Sequence, residues 1–182
     1  MKRILVINHP GNAFSNPTLQ SFIQYALQNS TEVDINQLIL ETEKHFSIIA
    51  HSKGIKLKLA LPTPPLTVSL DPNLFRRVIA NLLSNALQYS PSGTTVQLNL
   101  SAKYDNDNVP HLRMQVLDQG PGIPEEHRHR IFEKFEVVSL KRQGIAQIGL
   151  GLTFCKMAVD AHRGKIYVKP NQPQGSIFVV EI

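Results

Sequence analysis

The sequence lacks several features that define large classes of protein. Its one cysteine, Cys155, excludes a disulfide bond within the chain, and the apolar residues around it predict a buried thiol instead of a nucleophile. No apolar run approaches the roughly 20 residues of a membrane-spanning helix. The run that follows Lys2 and Arg3 covers only residues 4–7, too short for a secretory signal. We therefore expect a cytoplasmic segment without membrane contact.

Concentrated charge of one sign is also missing. Lysine and arginine (19) exceed aspartate and glutamate (14), for a formal net charge of +5, but the basic residues are scattered along the chain. Because nucleic acid recognition usually depends on a basic stripe, we expect no nucleic acid partner. A moderately basic surface equally suits a polyanionic nucleotide.

The apolar pattern divides the 182 residues at about residue 32. Residues 1–32 hold a short apolar run and a candidate helix with Asn16 as its cap and Pro17 at its first position. This is too little to fold alone. We predict an N-terminal extension that packs on the rest of the chain or on a partner, and one domain over residues 33–182.

Residues 33–182 alternate unevenly between helical and strand patterns. Three helices are predicted, one capped by Asp34, one opened by Asp71 and Pro72, and one that follows Gly151. Apolar residues in alternation predict strands at residues 55–59, 67–70, 96–100, 112–116, 165–168 and 176–182. This order predicts an α/β fold, a two-layer sandwich with helices packed on one face of a mixed sheet.

Asn81 and Asn85 lie one turn apart on the predicted helix from Pro72, opposite its apolar face. Mg²⁺ prefers oxygen ligands and needs only one or two protein groups beside nucleotide phosphates, so a neutral amide oxygen suits it. Alone, this spacing favours the alternative of two surface amides on an amphipathic helix.

Asp118 ends a predicted strand and is followed by Gly120 and Gly122. The glycines allow the backbone to approach a flat ligand. A carboxylate there accepts a hydrogen bond from the exocyclic amine of adenine, whereas it would face the carbonyl of guanine with no proton between them. The alternative is a turn whose aspartate accepts hydrogen bonds from nearby backbone amides.

Gly149 and Gly151 precede a helix, where free N–H groups and the helix dipole favour an anion such as phosphate. Gly-x-Gly before a helix is common, so this signal is weak alone. The polar residues 136–148 are typical of a mobile lid. Within them, Lys141 and Arg142 are interpreted as solvated charges, with γ-phosphate contact as the alternative.

Together, in this order and spacing, these segments resemble the ATP-binding catalytic domain of two-component sensor histidine kinases. The resemblance covers about residues 33–182 and implies the Bergerat-type fold shared with gyrase, mismatch-repair and heat-shock chaperone ATPases. The matching segments are residues 81–91 (asparagine box), 118–123 (first glycine box), 132–135 (F box) and 148–152 (second glycine box).

The resemblance also implies ATP and Mg²⁺ as cofactors and assigns roles to residues. By it, Asn85 binds the metal, Asn81 contacts phosphate or metal-bound water, and Asp118 binds adenine. Tyr89 would border the ribose and phosphates. The other pocket residues that it implies are Gln88, Gly120, Gly122, Ile123, Lys134, Phe135, Gly149, Leu150, Gly151 and Leu152.

Three residues bear on the reaction. Arg77 occupies the position where the ATPase relatives carry a water-activating glutamate, and arginine is no base at neutral pH, so direct ATP hydrolysis should be slow. Phosphoryl transfer to a protein side chain depends mainly on positioning and charge neutralisation and is retained. Gln88 stands where the family usually has a phosphate-contacting cation, and Gln147 where it has glycine, which predicts weaker affinity or turnover.

The family's phosphoacceptor, a helical hairpin of about 60 residues, does not fit into residues 1–32, and His9 is predicted in a turn. We therefore predict a kinase domain that donates the γ-phosphoryl group to histidine on a separate or missing dimerisation domain, within a response-regulator pathway. Two alternatives stay open. One is a degenerate nucleotide-binding or partner-interaction module that docks through residues 19–27, and the other is a stand-alone anti-sigma-type serine kinase.

Overall fold

The computed structural model describes residues 17–104, 110–133 and 151–182. Between residues 117 and 151, two short 3₁₀ turns, Glu125–His127 and Arg130–Phe132, are described. The helices and strands, in chain order, are α1 (Pro17–Gln28), β1 (Thr31–Asp34), α2 (Ile35–Ser52), β2 (Lys56–Ala60), β3 (Thr67–Leu70), α3 (Pro72–Tyr89), β4 (Thr95–Tyr104), β5 (Pro110–Leu117), α4 (Gly151–Ala161), β6 (Lys165–Pro170) and β7 (Ser176–Glu181).

Five strands form the main sheet in the order β2-β4-β5-β7-β6. Strands β2 and β4 are parallel, and the other neighbours are antiparallel. The sheet is therefore mixed, and the predicted α/β sandwich is confirmed. Because β5 and β7 are neighbours, the end of β5 lies beside the turn that precedes β7, and this adjacency builds the site described below.

The core lies on one face of this sheet. Register places Leu98 of β4 opposite Val116 of β5, and Val116 in turn opposite Phe178 of β7. All three are at most 5% exposed, as alternation of apolar residues predicts. Helices α2, α3 and α4 cover this face and contact one another in the order α2-α3-α4.

Helix α3 carries the predicted asparagine pair, and its start is fixed locally. The Asp71 side chain caps it by accepting hydrogen bonds from the N–H groups of Asn73 (2.8 Å) and Leu74 (3.0 Å), with Pro72 at the first position. The apolar face buries eight residues, namely Leu74, Phe75, Val78, Ile79, Leu82, Leu83, Ala86 and Leu87. This leaves the other face of the helix available for polar contacts.

Strand β1 is absent from the predicted elements. It pairs antiparallel with β3 in a separate two-stranded sheet, so that β3 does not join the main sheet. The strand spans the predicted boundary at residue 32, and the division of the chain there stays a prediction. Helix α1 forms as expected and packs on α4, where Ala26 is fully buried. The predicted apolar run 4–7, and His9, lie outside the described residues.

In the described ranges, no helix has the length and apolar character needed to cross a bilayer. Cys155 is fully buried, as predicted. Burial raises the pKa of its thiol to about 12, despite the opposing effects of a hydrogen bond with the Asn81 side chain and of the nearby Arg77 charge. The thiol is therefore a core residue next to the asparagine face of α3.

The cap of α3 gives a stability prediction. Asp71→Ala is expected to lower the free energy of unfolding by about 1–2 kcal/mol, because it removes two hydrogen bonds to helix N–H groups in a fully buried setting. The matched control is Asp34→Ala. Asp34 caps α2 from an exposed position with one hydrogen bond, to Gln37 N (3.0 Å), and should cost less than 1 kcal/mol. Urea denaturation of both variants measures the two losses in free energy of unfolding. A larger loss for Asp34→Ala than for Asp71→Ala would contradict the prediction.

Candidate nucleotide site

A buried acid lies at the end of β5. Asp118 is 5% exposed, and its Oδ1 accepts hydrogen bonds from the N–H groups of Gly120 (2.9 Å) and Ser176 (3.1 Å). Burial raises the pKa of the Asp118 carboxyl, and the two backbone hydrogen bonds oppose that shift in part. Within the described residues Oδ2 accepts no hydrogen bond. The second oxygen is therefore free to accept one from a ligand.

The first glycine segment lies against the end of α3. A Cβ atom on Gly120 would stand 2.9 Å from the carbonyl oxygen of Tyr89, so any side chain there would push α3 away. A Cβ atom on Gly122 would stand 3.3 Å from the carbonyl oxygen of Gly175. The backbone of this segment thus fits between α3 and the turn before β7. The structure places Asp118 and Tyr89 together, at one end of the polar face of α3.

The turn before β7 supports Asp118 from the other side. Asn171 donates a hydrogen bond from Nδ2 to the Asp118 carbonyl oxygen (2.7 Å), and the N–H of Asp118 donates to the Ser176 carbonyl oxygen (2.9 Å). Gly175 has φ +119°, and a Cβ atom on it would stand 2.0 Å from the Asp118 carbonyl oxygen. The sequence prediction of the site omits Gly175 and Asn171. The sequence signals for this turn are its proline and glycine residues and the Gly175-Ser176 pair at the start of the last predicted strand.

At its other end, the polar face of α3 contacts the start of α4. The half-buried Asn81 donates from Nδ2 to the carbonyl oxygen of Gly151 over a long 3.5 Å. A Cβ atom on Gly151 would stand 3.1 Å from Asn81 Oδ1, so glycine permits this approach. The side chain of Leu152 is 4% exposed and belongs to the core. Only its backbone is then available to a ligand.

Asn85 lies between the two ends. It is partly exposed and stands one turn after Asn81 and one turn before Tyr89. Eight residues of α-helix rise about 12 Å, so the face separates the acid of Asp118 from the first turn of α4 by a distance of that order. Gln88 and Tyr89 are exposed in the last turn.

Of the remaining predicted residues, some lie in the described ranges and the others lie outside them. Ile123 packs partly buried against the core, and its carbonyl oxygen accepts a hydrogen bond from Arg128 Nε (3.0 Å). Phe132, the first residue of the F box, is buried edge-on to Phe178 with ring centroids 6.4 Å apart. The residues whose placement lies outside the described ranges are Lys134, Phe135, Lys141, Arg142, Gln147, Gly149 and Leu150.

The site therefore combines three different binding functions along one face of α3. A buried carboxylate oxygen accepts hydrogen bonds at one end, Asn85 lies in the middle, and Asn81 lies at the other end beside the first turn of α4, whose N–H groups suit an anion. An amine-bearing flat base and a chain of anionic phosphates match this order. The fold and the site together define a nucleotide-binding α/β sandwich.

Comparison with known proteins gives the same class and narrows it. Residues 70–182 match the family model described as histidine kinase-, DNA gyrase B-, and HSP90-like ATPase. The chain belongs to this ATPase family, in its histidine kinase branch. The catalytic domain of histidine kinase ThkA in a nucleotide-free form superposes with a TM-score of 0.72 at 27% identity, covering 84% of this chain and 95% of that one.

Curated relatives are sensor kinases. The sensor histidine kinase TmoS of Ectopseudomonas mendocina is 36% identical over 150 residues, covering 82% of this chain and 15% of TmoS. The adaptive-response sensory kinase SasA of Gloeothece citriformis is 35% identical over 156 residues, covering 85% of this chain and 38% of SasA. Full-length ShkA in complex with AMPPNP has a TM-score of 0.70 at 27% identity, covering 90% of this chain and 34% of ShkA. The chain thus spans well under half of these relatives.

Proposed function

We propose that this chain binds ATP and Mg²⁺ and donates the γ-phosphoryl group to a histidine side chain of a dimerisation domain, on another polypeptide or outside residues 1–182. The observation that carries the proposal is the arrangement along the polar face of α3, with the buried acid of Asp118 at one end and the contact of Asn81 with Gly151 at the other. Sensor histidine kinases among the relatives support the reaction type.

Asp118 is the base-selecting residue in this proposal. Its Oδ1 is already held by two backbone N–H groups, which fixes the carboxylate and directs Oδ2 toward the exocyclic amine of adenine. Gly120, Gly122 and Ile123 shape the pocket around the ring, and Tyr89 borders the ribose. Because a carboxylate has no proton to offer a guanine carbonyl, the site discriminates between the two purines.

Asn85 is the proposed metal ligand, and Asn81 contacts phosphate or metal-bound water. A neutral amide oxygen fits Mg²⁺ in a site where the phosphates supply the charge. Gly151 lies close to Asn81, where a Cβ atom would stand 3.1 Å from Asn81 Oδ1, and the backbone N–H groups of the first turn of α4 are proposed to bind the phosphates. When bound, Mg²⁺ would neutralise charge on the transferred group. Lys134, Phe135, Gly149 and Leu150 complete the site in this proposal.

Transfer is favoured over hydrolysis because no base occupies the position one turn before Asn81. Arg77 stands there, and its guanidinium lies 4.0 Å from the centre of the Phe154 ring. A protonated arginine does not activate water. The acceptor histidine is proposed on a dimerisation domain of another polypeptide or outside residues 1–182, with a response regulator as the next recipient. The structure of the similar histidine kinase ThkA in complex with the response regulator TrrA supports such a partner.

A transfer assay tests the proposal. The chain is incubated with Mg²⁺, ATP labelled at the γ-phosphate, and histidine-bearing hairpin domains taken from related kinases. We expect an acid-labile label on a hairpin, and Asn85→Ala should lower the rate by about two orders of magnitude because the metal ligand is lost. Asn36→Ala, whose amide bonds instead to the loop between β2 and β3, is the matched control and should keep the rate.

Other outcomes of this assay point to the alternatives. An acid-stable label on a regulatory protein would favour the serine kinase. ATP binding without any transfer would favour the degenerate binding module, which is motivated by Gln88 in place of a cation and Gln147 in place of a glycine. Isothermal titration that detects no ATP binding with Mg²⁺ present would end the kinase proposal.

A further inference from the structure

The contact between α3 and α4 has two levels one helical turn apart. At the site, Asn81 donates to Gly151 (3.5 Å), and one turn further from the adenine end the guanidinium carbon of Arg77 lies 4.0 Å from the centre of the Phe154 ring. Residues 77 and 81 share a face of α3, and residues 151 and 154 share a face of α4. The contact of Arg77 with Phe154 therefore lies directly behind the first turn of α4, where the phosphates are proposed to bind.

Helix α1 reaches this second level. The ring of Phe22 stands edge-on to Phe154, with centroids 6.1 Å apart and an interplanar angle of 88°. Such edge-to-face pairs are attractive beyond their buried area, and a cation over an aromatic ring adds a further attraction. One ring thus joins three helices, because Phe154 contacts both Phe22 of α1 and Arg77 of α3.

We propose that Phe22, Phe154 and Arg77 form a clamp through which docking of α1 sets the position of the phosphate end of the nucleotide site. This inference rests on the proposed function and deepens it. The family model matches residues 70–182, so α1 lies outside the matched region. The clamp makes α1 a regulatory input, since any partner or segment that moves α1 would change how tightly the phosphates are held.

The reason is the contact of Asn81 with the start of α4. The Asn81 amide lies 3.5 Å from the Gly151 carbonyl oxygen, so a tilt of α4 changes the position of its first-turn N–H groups relative to the asparagines of α3. Phosphate binding by backbone N–H groups and phosphoryl transfer both depend on such positioning. The adenine end is independent of the clamp, because Asp118 is held by Gly120 and Ser176 and its backbone by Asn171. Loss of the clamp should therefore affect the phosphates and not the base.

Titration of the 182-residue chain with ATP and Mg²⁺, and separately with adenosine, tests this difference. Phe22→Ala is expected to weaken ATP binding about three- to tenfold and to leave adenosine binding unchanged. The matched control is Tyr25→Ala, an aromatic removal on the same helix at a residue that is 50% exposed, and it should change neither affinity. Equal weakening for ATP and adenosine, or none, would overturn the clamp.

A spectroscopic measurement keeps the test decisive if Phe22→Ala folds poorly. The chain has no tryptophan, so Phe154→Trp places a single tryptophan in the clamp, whose emission can be excited separately from that of the four tyrosines. In that background, Arg77→Met should shift the tryptophan emission and lower ATP affinity. Arg77→Lys should leave the emission and the ATP affinity unchanged. Any other combination of results for the two variants would overturn the clamp. An unaltered chain that binds no ATP would overturn the proposed function and the clamp's role together. Unaltered ATP binding in Phe22→Ala would overturn the clamp alone.

Discussion

Asp118→Asn is expected to remove most ATP binding while the chain stays folded. Asparagine keeps the size of the side chain and an oxygen for the N–H groups of Gly120 and Ser176. Its second position, however, becomes an N–H₂ donor that faces the donor amine of adenine. The lost charge-assisted hydrogen bond and the unpaired donors together cost about 3 kcal/mol, on the order of 100-fold in Kd. Isothermal titration with ATP and Mg²⁺ measures this loss.

The same substitution should not destabilise the free protein. Burial raises the folded-state pKa of Asp118 above its ordinary value of 3.8, so the folded state binds the proton more tightly than the unfolded state. Folding stability is therefore lost as pH rises from that ordinary value through the raised pKa, and at neutral pH the buried ionised carboxylate destabilises the folded state. Asparagine is neutral, so it does not carry this cost of burying a charge. We expect the apo variant to unfold at neutral pH with a free energy equal to or above that of the unaltered chain.

The raised pKa also gives a pH dependence for base recognition. Adenosine binding should weaken as pH is lowered through that pKa, because a protonated carboxyl presents a donor where the amine needs an acceptor. The weakening should begin above pH 3.8, the ordinary aspartate value. Adenosine is the appropriate ligand because it has no phosphates that titrate.

Undiminished ATP affinity in Asp118→Asn would contradict the assignment of Asp118, and a strong loss of stability would show a structural role instead.

Local signals in the sequence predict much of this fold. Asp71 and Pro72 mark the start of α3 because a capping carboxylate and a proline both act within one turn. Alternation in β4 and β5 identifies the buried face because neighbouring side chains point to opposite sides of a strand. Asn81 and Asn85 could be placed on one polar face by the same kind of argument.

Long-range pairing explains what the sequence does not predict. Strand β1 has four residues without apolar alternation and exists because it pairs with β3, more than 30 residues further along. The hydrogen bond from Ser176 to Asp118 joins residues 58 apart and depends on the register of β7 against β5. The same register of β7 against β5 brings Asn171 and Gly175 next to Asp118. The residues around Asn171 and Gly175 do not by themselves show that the two lie beside Asp118.

The supporting turn gives the largest expected effect on the fold itself. Gly175→Ala should lower the free energy of unfolding by at least about 3 kcal/mol and abolish ATP binding. A left-handed φ of +119° is strained for alanine, and its Cβ would stand 2.0 Å from the Asp118 carbonyl oxygen. Because that atom belongs to the backbone, it moves only if the end of β5 moves. The hydrogen bond from Ser176 to Asp118 would then be disrupted.

Gly93→Ala separates the two causes. Gly93 also has a left-handed φ, +84°, but a Cβ atom there would meet nothing within 4 Å. It should therefore show only backbone strain, about 1 kcal/mol, with ATP affinity unchanged. Urea denaturation and ATP titration of both variants give the comparison. Equal losses would mean that φ alone decides the effect, and the close contact between Gly175 and Asp118 would then not be what positions the buried acid.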